Sequence, residues 1–172
     1  MQHASEQAAA ERATNATDSY AEKVADAQSK GFATVVFDDA AELCDDGDAV
    51  GCVASDQPQV IHLDAERFEH DSMDDWGRRL ITLHELAHVL QFLNPDQSAE
   101  AVEAFDDDAE FMADCYALTV MNEDSLDRRV WTSSWAYWDV SYGYGRVCDD
   151  AQREVIRTWL DAVTVRPFTI AQ

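Results

Sequence analysis

Residues 84–88 read HELAH, a match to the pattern H-E-x-x-H, and the rest of the chain is interpreted outward from this stretch. An α-helix completes one turn in about 3.6 residues, so His84 and His88 would lie one turn apart on the same helical face. Two imidazoles at that spacing can bind one zinc ion, with Glu85 turned toward the water that the metal activates. Five residues alone are a moderate signal, so other features of the sequence must support this interpretation.

The segment around HELAH has the composition of a buried helix. Ser72 and Asp75 are spaced like a capping box, which predicts a helix over about residues 73–93 that ends before Pro95. The segment is apolar nearly all round, which is typical of a core helix. Two histidines and a glutamate buried there are costly unless a metal ion compensates them. A chance match of HELAH in an ordinary core helix is therefore the least favoured interpretation.

Length and charge limit the class of protein. A chain of 172 residues with 47% hydrophobic residues fits one domain with its own core. The formal net charge of −23 repels phosphate groups and anionic lipid, so we expect no nucleic-acid partner and no membrane partner. This charge either attracts cationic substrates and metal ions or simply keeps the surface solvated, and the solvated surface is favoured. A monomer is the expected state.

The four cysteines, an even number, predict two disulfides. Cys44 and Cys52 flank a short turn-like stretch and would pair, which leaves Cys115 to pair with Cys148. The alternative is four free or metal-binding thiols, but no C-x-x-C pattern occurs. Disulfides form in oxidising compartments, so we expect a secreted or cell-envelope protein. Residues 1–20 have no apolar signal-peptide core, so this expectation includes a signal peptide already removed.

The sequence predicts an N-terminal arm followed by one domain. Residues 1–30 are rich in Ala and Glu and predict a helical arm, followed by a single domain over residues 31–172. Three β-prone stretches, at 32–37, 50–53 and 59–63, predict a small sheet at the start of this domain. Together with the helical segments, they indicate an α+β fold.

The remainder of the chain is predicted to be mainly helical. Residues 99–121 and 149–163 have helical patterns, and the aromatic stretch 131–145 between them predicts a loop or a short helix that could wall a cleft. Aromatic side chains mostly serve burial, so its three tryptophans are expected to pack in the core. These residues are Trp131, Trp135 and Trp138.

A catalytic zinc ion usually has three protein ligands, so a third must come from another segment. Glu110, in the stretch AEFMADCYA, is the best candidate, and Asp114 lies one helical turn further on the same face. This spacing suits Glu110 as a ligand and Asp114 as the acceptor for the N–H of a ligand histidine. Asp106, Asp107 and Glu103 compete as ligands. Both acids could instead belong to the solvated surface of a very acidic chain.

The combined pattern resembles a bacterial family of neutral zinc metallopeptidases, in which H-E-x-x-H-x-x-Q is followed by E-L-Q-A-D-C. The matching residues here are His84, Glu85, His88, Gln91, Glu110, Ala113, Asp114 and Cys115. Phe111-Met112 replaces the family's Leu-Gln, and the resemblance covers roughly residues 32–120. It implies a zincin-like metallopeptidase domain, in which a small N-terminal antiparallel sheet packs on the H-E-x-x-H helix beside a second metal-ligand helix. It also implies one Zn²⁺ ion, with Glu110 as the third ligand.

The resemblance further implies hydrolysis of peptide bonds in a peptide or protein substrate. Glu85 would act as general base, taking a proton from water and passing it to the leaving amine. The reaction also needs a donor that stabilises the oxyanion. Candidates for this role come from the aromatic segment and are Tyr137, Tyr142, Tyr144 and Arg146. The strand at 59–63 could pair with the substrate backbone. The main rival is a catalytically inactive zincin-fold module that binds zinc or a partner.

Overall fold

The computed structural model describes residues 24–25, 33–38 and 49–164, and its first structured unit is a small mixed sheet. Strands β1 (Thr34–Asp38), β2 (Gly51–Val53) and β3 (Val60–Asp64) lie in the order β1-β3-β2. Strand β2 is antiparallel to β3, whereas β1 is parallel to it. The predicted antiparallel sheet is therefore wrong for β1. Composition identifies strands but not their direction, which the path of the connecting chain decides.

The central position in this sheet belongs to β3, whose Ile61 and Leu63 are fully buried. Both backbone edges of β3 are hydrogen-bonded to neighbouring strands, so the prediction that this strand pairs with a substrate is wrong. Within the described sheet, β2 lies at an edge instead. The pattern of apolar residues shows that a strand is buried but not which strand ends up between two others.

After a short helix α1 (Ala65–Phe68), the long helix α2 (Asp75–Leu93) carries the HELAH residues. Its N-cap is Asp74, whose carboxylate accepts a hydrogen bond from the N–H of Gly77 at 2.9 Å. The predicted cap at Ser72 is therefore wrong, because a carboxylate two residues further along reaches the free N–H groups. The interior of α2 is buried, as its apolar composition predicted.

The predicted helix over residues 99–121 is interrupted. Helix α3 (Pro95–Val102) runs into a 3₁₀ turn (Glu103–Phe105), and helix α4 (Ala109–Met121) begins after a break. Asp106 and Asp107 adopt positive φ angles of 59° and 60°, a left-handed conformation that ends a helix and that aspartate tolerates better than most residues. The carboxylate of Asp108 then caps α4. The break lets α4 turn back and pack along α2.

The aromatic segment forms a β-hairpin rather than a loop or short helix. Strands β4 (Asp127–Trp131) and β5 (Tyr137–Ser141) pair antiparallel. The three tryptophans predicted for the core are exposed, with 58%, 83% and 50% of their surface accessible for Trp131, Trp135 and Trp138. That prediction is wrong: Trp131 lies on the face of the hairpin opposite the buried Val130, Trp135 lies in the turn, and Trp138 stays half exposed although it is paired with Val130.

The last described element is helix α5 (Asp150–Ala162), close to its predicted bounds. A capping box of Asp149 and Gln152 starts it. Its Trp159 is buried and donates its indole N–H to Ser98 on α3 at 3.2 Å. Helix α5 therefore fixes α3 and α4 from the side away from the sheet.

Of the predicted N-terminal arm, the structure describes Val24 and Ala25, which are helical, and Ala25 is fully buried in the core. The remainder of the arm lies outside the described residues. Among the helices that the structure describes, none is long and apolar enough to cross a membrane.

One predicted disulfide joins α4 to the segment before α5. Cys115 and Cys148 are bonded, with their Cα atoms 5.4 Å apart. Cys52 is also disulfide-bonded, and its predicted partner, Cys44, lies outside the described residues. The prediction of disulfides is confirmed for Cys115–Cys148.

Candidate metal centre

Helices α2 and α4 bring three ligand atoms together. Nε2 of His84 lies 3.1 Å from Nε2 of His88, and Oε2 of Glu110 lies 3.1 Å and 3.2 Å from these two nitrogens. The two histidines are mostly buried, while the glutamate is partly exposed. His84, His88 and Glu110, together the metal group, could hold a metal ion.

The Nδ1 atoms of His84 and His88 both act as hydrogen-bond donors. Nδ1 of His84 donates to the carboxylate of Asp114 at 2.8 Å, since an ionised carboxylate can only accept. Nδ1 of His88 donates to Oε1 of Gln91 at 2.8 Å. In its neutral form, each imidazole would therefore direct the lone pair of its Nε2 inward. With both rings neutral, two lone pairs and a carboxylate oxygen converge on one point, an arrangement that a cation held between them would stabilise.

The distances fit a tetrahedral ion. Bonds of about 2.0–2.2 Å from a tetrahedral Zn²⁺ to nitrogen and oxygen place the ligand atoms about 3.3–3.6 Å from one another. The three separations in the structure are a few tenths of an ångström shorter. Two imidazoles and one carboxylate suit zinc and other first-row divalent ions, and three protein ligands leave a position open for water or substrate.

The pKa values of His84 and Glu110 also show that this group favours bound positive charge. Burial disfavours the charged imidazolium of His84, but hydrogen bonds with Asp114 and Glu110 outweigh burial and raise the pKa of His84 to about 10. Burial tends to raise the pKa of Glu110, yet hydrogen bonds with His84 and His88 hold it far below its usual range. The group therefore attracts a cation strongly, whether a proton or a metal ion.

Glu85 lies beside the three ligands with one oxygen unsatisfied. Its Oε2 is buried and has no hydrogen-bond partner among the described residues. Burial raises the pKa of this carboxyl above its usual value. The backbone of β2 passes so close that a Cβ placed at Gly51 would lie 2.9 Å from Oε1 of Glu85. A buried carboxylate without a partner is costly, which indicates that this oxygen faces a group still to be bound.

Asp114 is fully buried and connects the first histidine to the loop that follows β5. Its Oδ1 accepts from His84, and its Oδ2 accepts from the backbone N–H of Tyr144 at 2.9 Å. Gly143 has a φ of 63°, and a Cβ there would collide with the Asp114 carboxylate. The loop therefore depends on a glycine to approach Asp114 closely enough for this hydrogen bond.

Gln91 makes the corresponding connection for the second histidine, a role that the sequence reasoning did not assign to it. While its Oε1 accepts from His88, its Nε2 donates to the backbone carbonyl of Ala109 at 3.1 Å. Ala109 begins α4 and precedes Glu110. One amide thus orients a ligand histidine and fastens the start of the helix that carries the third ligand. Gln91 follows His88 by three residues, a spacing that places the two side chains side by side on a helix and could have predicted this contact.

The four candidate oxyanion donors lie in different places. Tyr144 lines the cavity above the metal group, and its ring stacks on His84 with centroids 6.2 Å apart. Tyr142 donates its hydroxyl to the carbonyl of Ser72 at 3.3 Å. Tyr137 lies on the hairpin beneath the guanidinium of Arg129.

Arg146 is held by other charges. Its guanidinium forms ion pairs with Asp106 and Asp108. Of the acids that compete with Glu110 as ligands, Asp106 is thus engaged elsewhere. Asp107 and Glu103 likewise do not join the metal group among the described residues.

A cavity of about 210 Å³ opens above the three ligands, between β2 and helix α2. The residues that line it are Ala49, Gly51, Cys52, Val53, His84, Glu85, His88, Phe92, Glu110 and Tyr144. Strand β2, the candidate base and the candidate metal ligands therefore face one space.

Fold and site together define an α+β protein with a two-helix His–His–Glu group able to hold a metal ion, and with a buried glutamate beside it. Comparison of this chain with protein-family models, curated proteins and solved structures found no match.

Proposed function

We propose that this protein is a zinc-dependent metallopeptidase with a zincin-like fold, related to the neutral zinc metallopeptidases that its sequence resembles. The observation that carries the proposal is the convergence of two imidazole nitrogens and one carboxylate oxygen beside Glu85, whose buried Oε2 lacks a partner among the described residues. A structural zinc site would be closed by a fourth protein ligand. This group has three ligands and faces a cavity, as catalysis requires.

Bound Zn²⁺ would act as a Lewis acid that makes water a nucleophile near neutral pH and polarises the scissile carbonyl. Glu85 would accept the proton of the attacking water and donate it to the leaving amine. A general acid–base works best with a pKa near the working pH, and the burial of Glu85 shifts its pKa in that direction. Asp114 and Gln91 would hold the two ligand histidines in the tautomer that presents Nε2.

Tyr144 is the candidate that best suits the role of oxyanion donor, because it lines the cavity beside His84. The substrate backbone would lie along β2, which is at an edge of the described sheet and whose Gly51, Cys52 and Val53 line the same cavity. Addition of an extended peptide to a sheet edge supplies main-chain hydrogen bonds independent of side chains. The substrate is thus a peptide or protein chain in extended form.

Secretion or a cell-envelope location is part of the proposal and is supported by the disulfides. Thiol titration of the denatured, non-reduced protein should find no free thiol, while four thiols would remove this support. The net charge of −23 favours a protein that binds neither nucleic acid nor anionic membrane.

The test compares wild type with Glu85→Gln, which keeps the size of the side chain but cannot accept the proton. Metal content is measured by mass spectrometry after zinc loading, and cleavage is measured on unfolded casein. We expect about one zinc ion in both proteins and turnover in wild type, reduced by at least about 100-fold in the variant. Zinc without turnover in either protein would favour the non-catalytic zinc-binding module. Absence of zinc from both would overturn the proposal.

A further inference from the structure

The β4–β5 hairpin carries exposed aromatic rings that the proposed chemistry does not use. Side chains alternate between the two faces of a strand, so Trp131 and Tyr137, which are paired across the hairpin, lie on the face opposite the buried Val130. The centroids of their two rings are 5.0 Å apart. Trp135 lies in the turn between the strands and is largely exposed. Trp131, Trp135 and Tyr137 thus lie at the turn end of the hairpin and form its aromatic tip.

The aromatic tip is separate from the cavity above the metal group. No residue of β4 or β5 is among the described residues that line this cavity. Large apolar side chains that are exposed together at one place on a surface indicate a contact with another molecule, whereas single exposed ones do not. Tryptophan and tyrosine are also enriched where proteins bind partners. The aromatic tip is therefore a candidate interaction surface.

Two of the three rings are open to a cation. The guanidinium of Arg129 lies over the ring of Tyr137, 3.9 Å from its centroid. The rings of Trp131 and Trp135 have no such cation among the described residues. The face of an aromatic ring attracts a guanidinium or ammonium group, and tryptophan attracts it most strongly. A cation supplied by another molecule would therefore find two uncovered tryptophan rings at the tip.

The charges of the hairpin favour a basic partner over an acidic one. Both arginines of β4 are already paired, Arg128 with Asp74 at 2.8 Å and Arg129 with Asp139 at 2.7 Å. Residues 127–141 contain no other Arg and no Lys, so an acidic partner would find no unpaired cation in the hairpin. The net charge of −23 attracts a basic partner and opposes the association of two copies of this chain.

The open edges of the hairpin favour an extended polypeptide as the partner. Strands β4 and β5 form a two-stranded sheet, and among the described residues neither strand has a second strand partner. The outer backbone N–H and C=O groups of each strand can therefore pair with an added strand. Every second side chain of that strand would lie on the same face as Trp131. A glycan or a lipid surface could contact the rings but would not form this strand pairing.

We propose that the aromatic tip docks an extended basic segment of another polypeptide. Arginine or lysine side chains of this segment lie over Trp131 and Trp135, and its backbone pairs with an open edge of the hairpin. Because the aromatic tip lies outside the cavity above the metal group, this docking does not depend on the proposed peptidase activity.

Three fluorescent peptides test the surface by anisotropy in about 0.15 M salt, which screens attraction between distant charges. The first alternates arginine with valine. The second has citrulline, an uncharged analogue of arginine, in place of each arginine. The third keeps the arginines but has proline in place of each valine, which disfavours a strand. The full chain carries Glu85→Gln, so that a peptidase activity does not consume the probes. We expect the first peptide to bind at least about tenfold more tightly than the other two.

Substitutions in the hairpin locate the binding. Trp131→Ala and Trp135→Ala should each weaken binding of the first peptide by about 3- to 30-fold. Trp138→Ala is the matched control, because this half-exposed ring lies on the opposite face of the same hairpin, and it should leave the affinity unchanged. Asp161→Asn, at an exposed position of α5, measures how much one distant charge contributes. Circular dichroism verifies the fold of each variant.

The outcomes separate this docking from general attraction to an acidic protein. Equal binding of the arginine and citrulline peptides, or equal affinities in Trp131→Ala and Trp138→Ala, would overturn the proposal. Equal binding of the proline peptide would overturn the strand pairing. Cellohexaose and phosphatidylcholine vesicles are measured in parallel. If one of them binds through Trp131 and the arginine peptide does not, the surface binds a glycan or a lipid and the proposal is wrong.

Discussion

Asp114 and Tyr144 are joined by a hydrogen bond of 2.9 Å from the tyrosine backbone N–H to the aspartate Oδ2, although thirty residues separate them in sequence. The other oxygen of this buried carboxylate orients His84. The loop after β5 is thereby coupled to a histidine of the metal group. Substitutions in that loop should consequently change metal binding without touching a ligand.

Asp114→Asn should weaken zinc binding about 10- to 100-fold, because the amide puts an NH2 donor in place of one of the two oxygens, each of which accepts a hydrogen bond. Affinity is measured by competition with a chromophoric chelator. Asp161→Asn removes the same charge from an exposed position on α5 and serves as the control. Equal zinc affinities in the two variants would contradict the role of Asp114.

Gly143→Ala and Gly145→Ala form a matched pair. Both glycines have positive φ angles, of 63° and 74°, so each alanine would add backbone strain of about 1–2 kcal/mol. A Cβ at Gly145 meets open space, whereas one at Gly143 collides with the Asp114 carboxylate. Urea denaturation should therefore show a larger loss for Gly143→Ala, and only this variant should lose zinc affinity, by about tenfold or more. Normal zinc binding by Gly143→Ala would argue against a close loop approach.

Gln91→Met should lower zinc affinity about tenfold, since methionine keeps the length of the side chain but neither orients His88 nor binds the carbonyl of Ala109. The same chelator competition measures it. Gln97→Met, at an exposed position of α3, controls for the change in residue type. If both substitutions leave the affinity unchanged, Gln91 does not position the histidine.

Two tryptophans should differ strongly in their contribution to stability. Trp159→Ala should lower the free energy of unfolding by about 3–5 kcal/mol, because its ring is buried and its N–H binds Ser98. Trp135→Ala should change it by less than about 0.5 kcal/mol, since that ring is largely in solvent. Urea denaturation followed by circular dichroism compares them. A large loss for Trp135→Ala would mean that the hairpin tip packs against another part of the protein.

The metal group could be predicted because its geometry is local to two helices. His88 follows His84 by four positions, and Asp114 follows Glu110 by four positions. Helical periodicity alone puts the members of each pair on one face. What periodicity does not give is the partner of each side chain. That α4 lies against α2 with Glu110 opposite the histidines follows from tertiary packing.

The parts that could not be predicted depend on contacts distant in sequence or on single backbone conformations. Asp106 and Asp107 break the predicted helix through left-handed φ angles, which their side chains permit but do not require. The direction of β1 and the pairing of β4 with β5 follow from the path of the chain, which composition does not give. For the same reason, the sequence could not show which tyrosine lies at the site. Tyr144 lines the cavity, whereas Tyr142, two residues earlier, donates its hydroxyl to the carbonyl of Ser72.

The bond between Cys115 and Cys148 closes a covalent ring that contains the whole β4–β5 hairpin. A proteolytic cut at the exposed tip near Trp135 would open this ring without separating the two fragments. Tyr144 is held close to the bonded Cys148 and would remain against Asp114 after such a nick. A molecule cleaved in this way would keep its metal group assembled and would fall into two fragments only when a reductant is added.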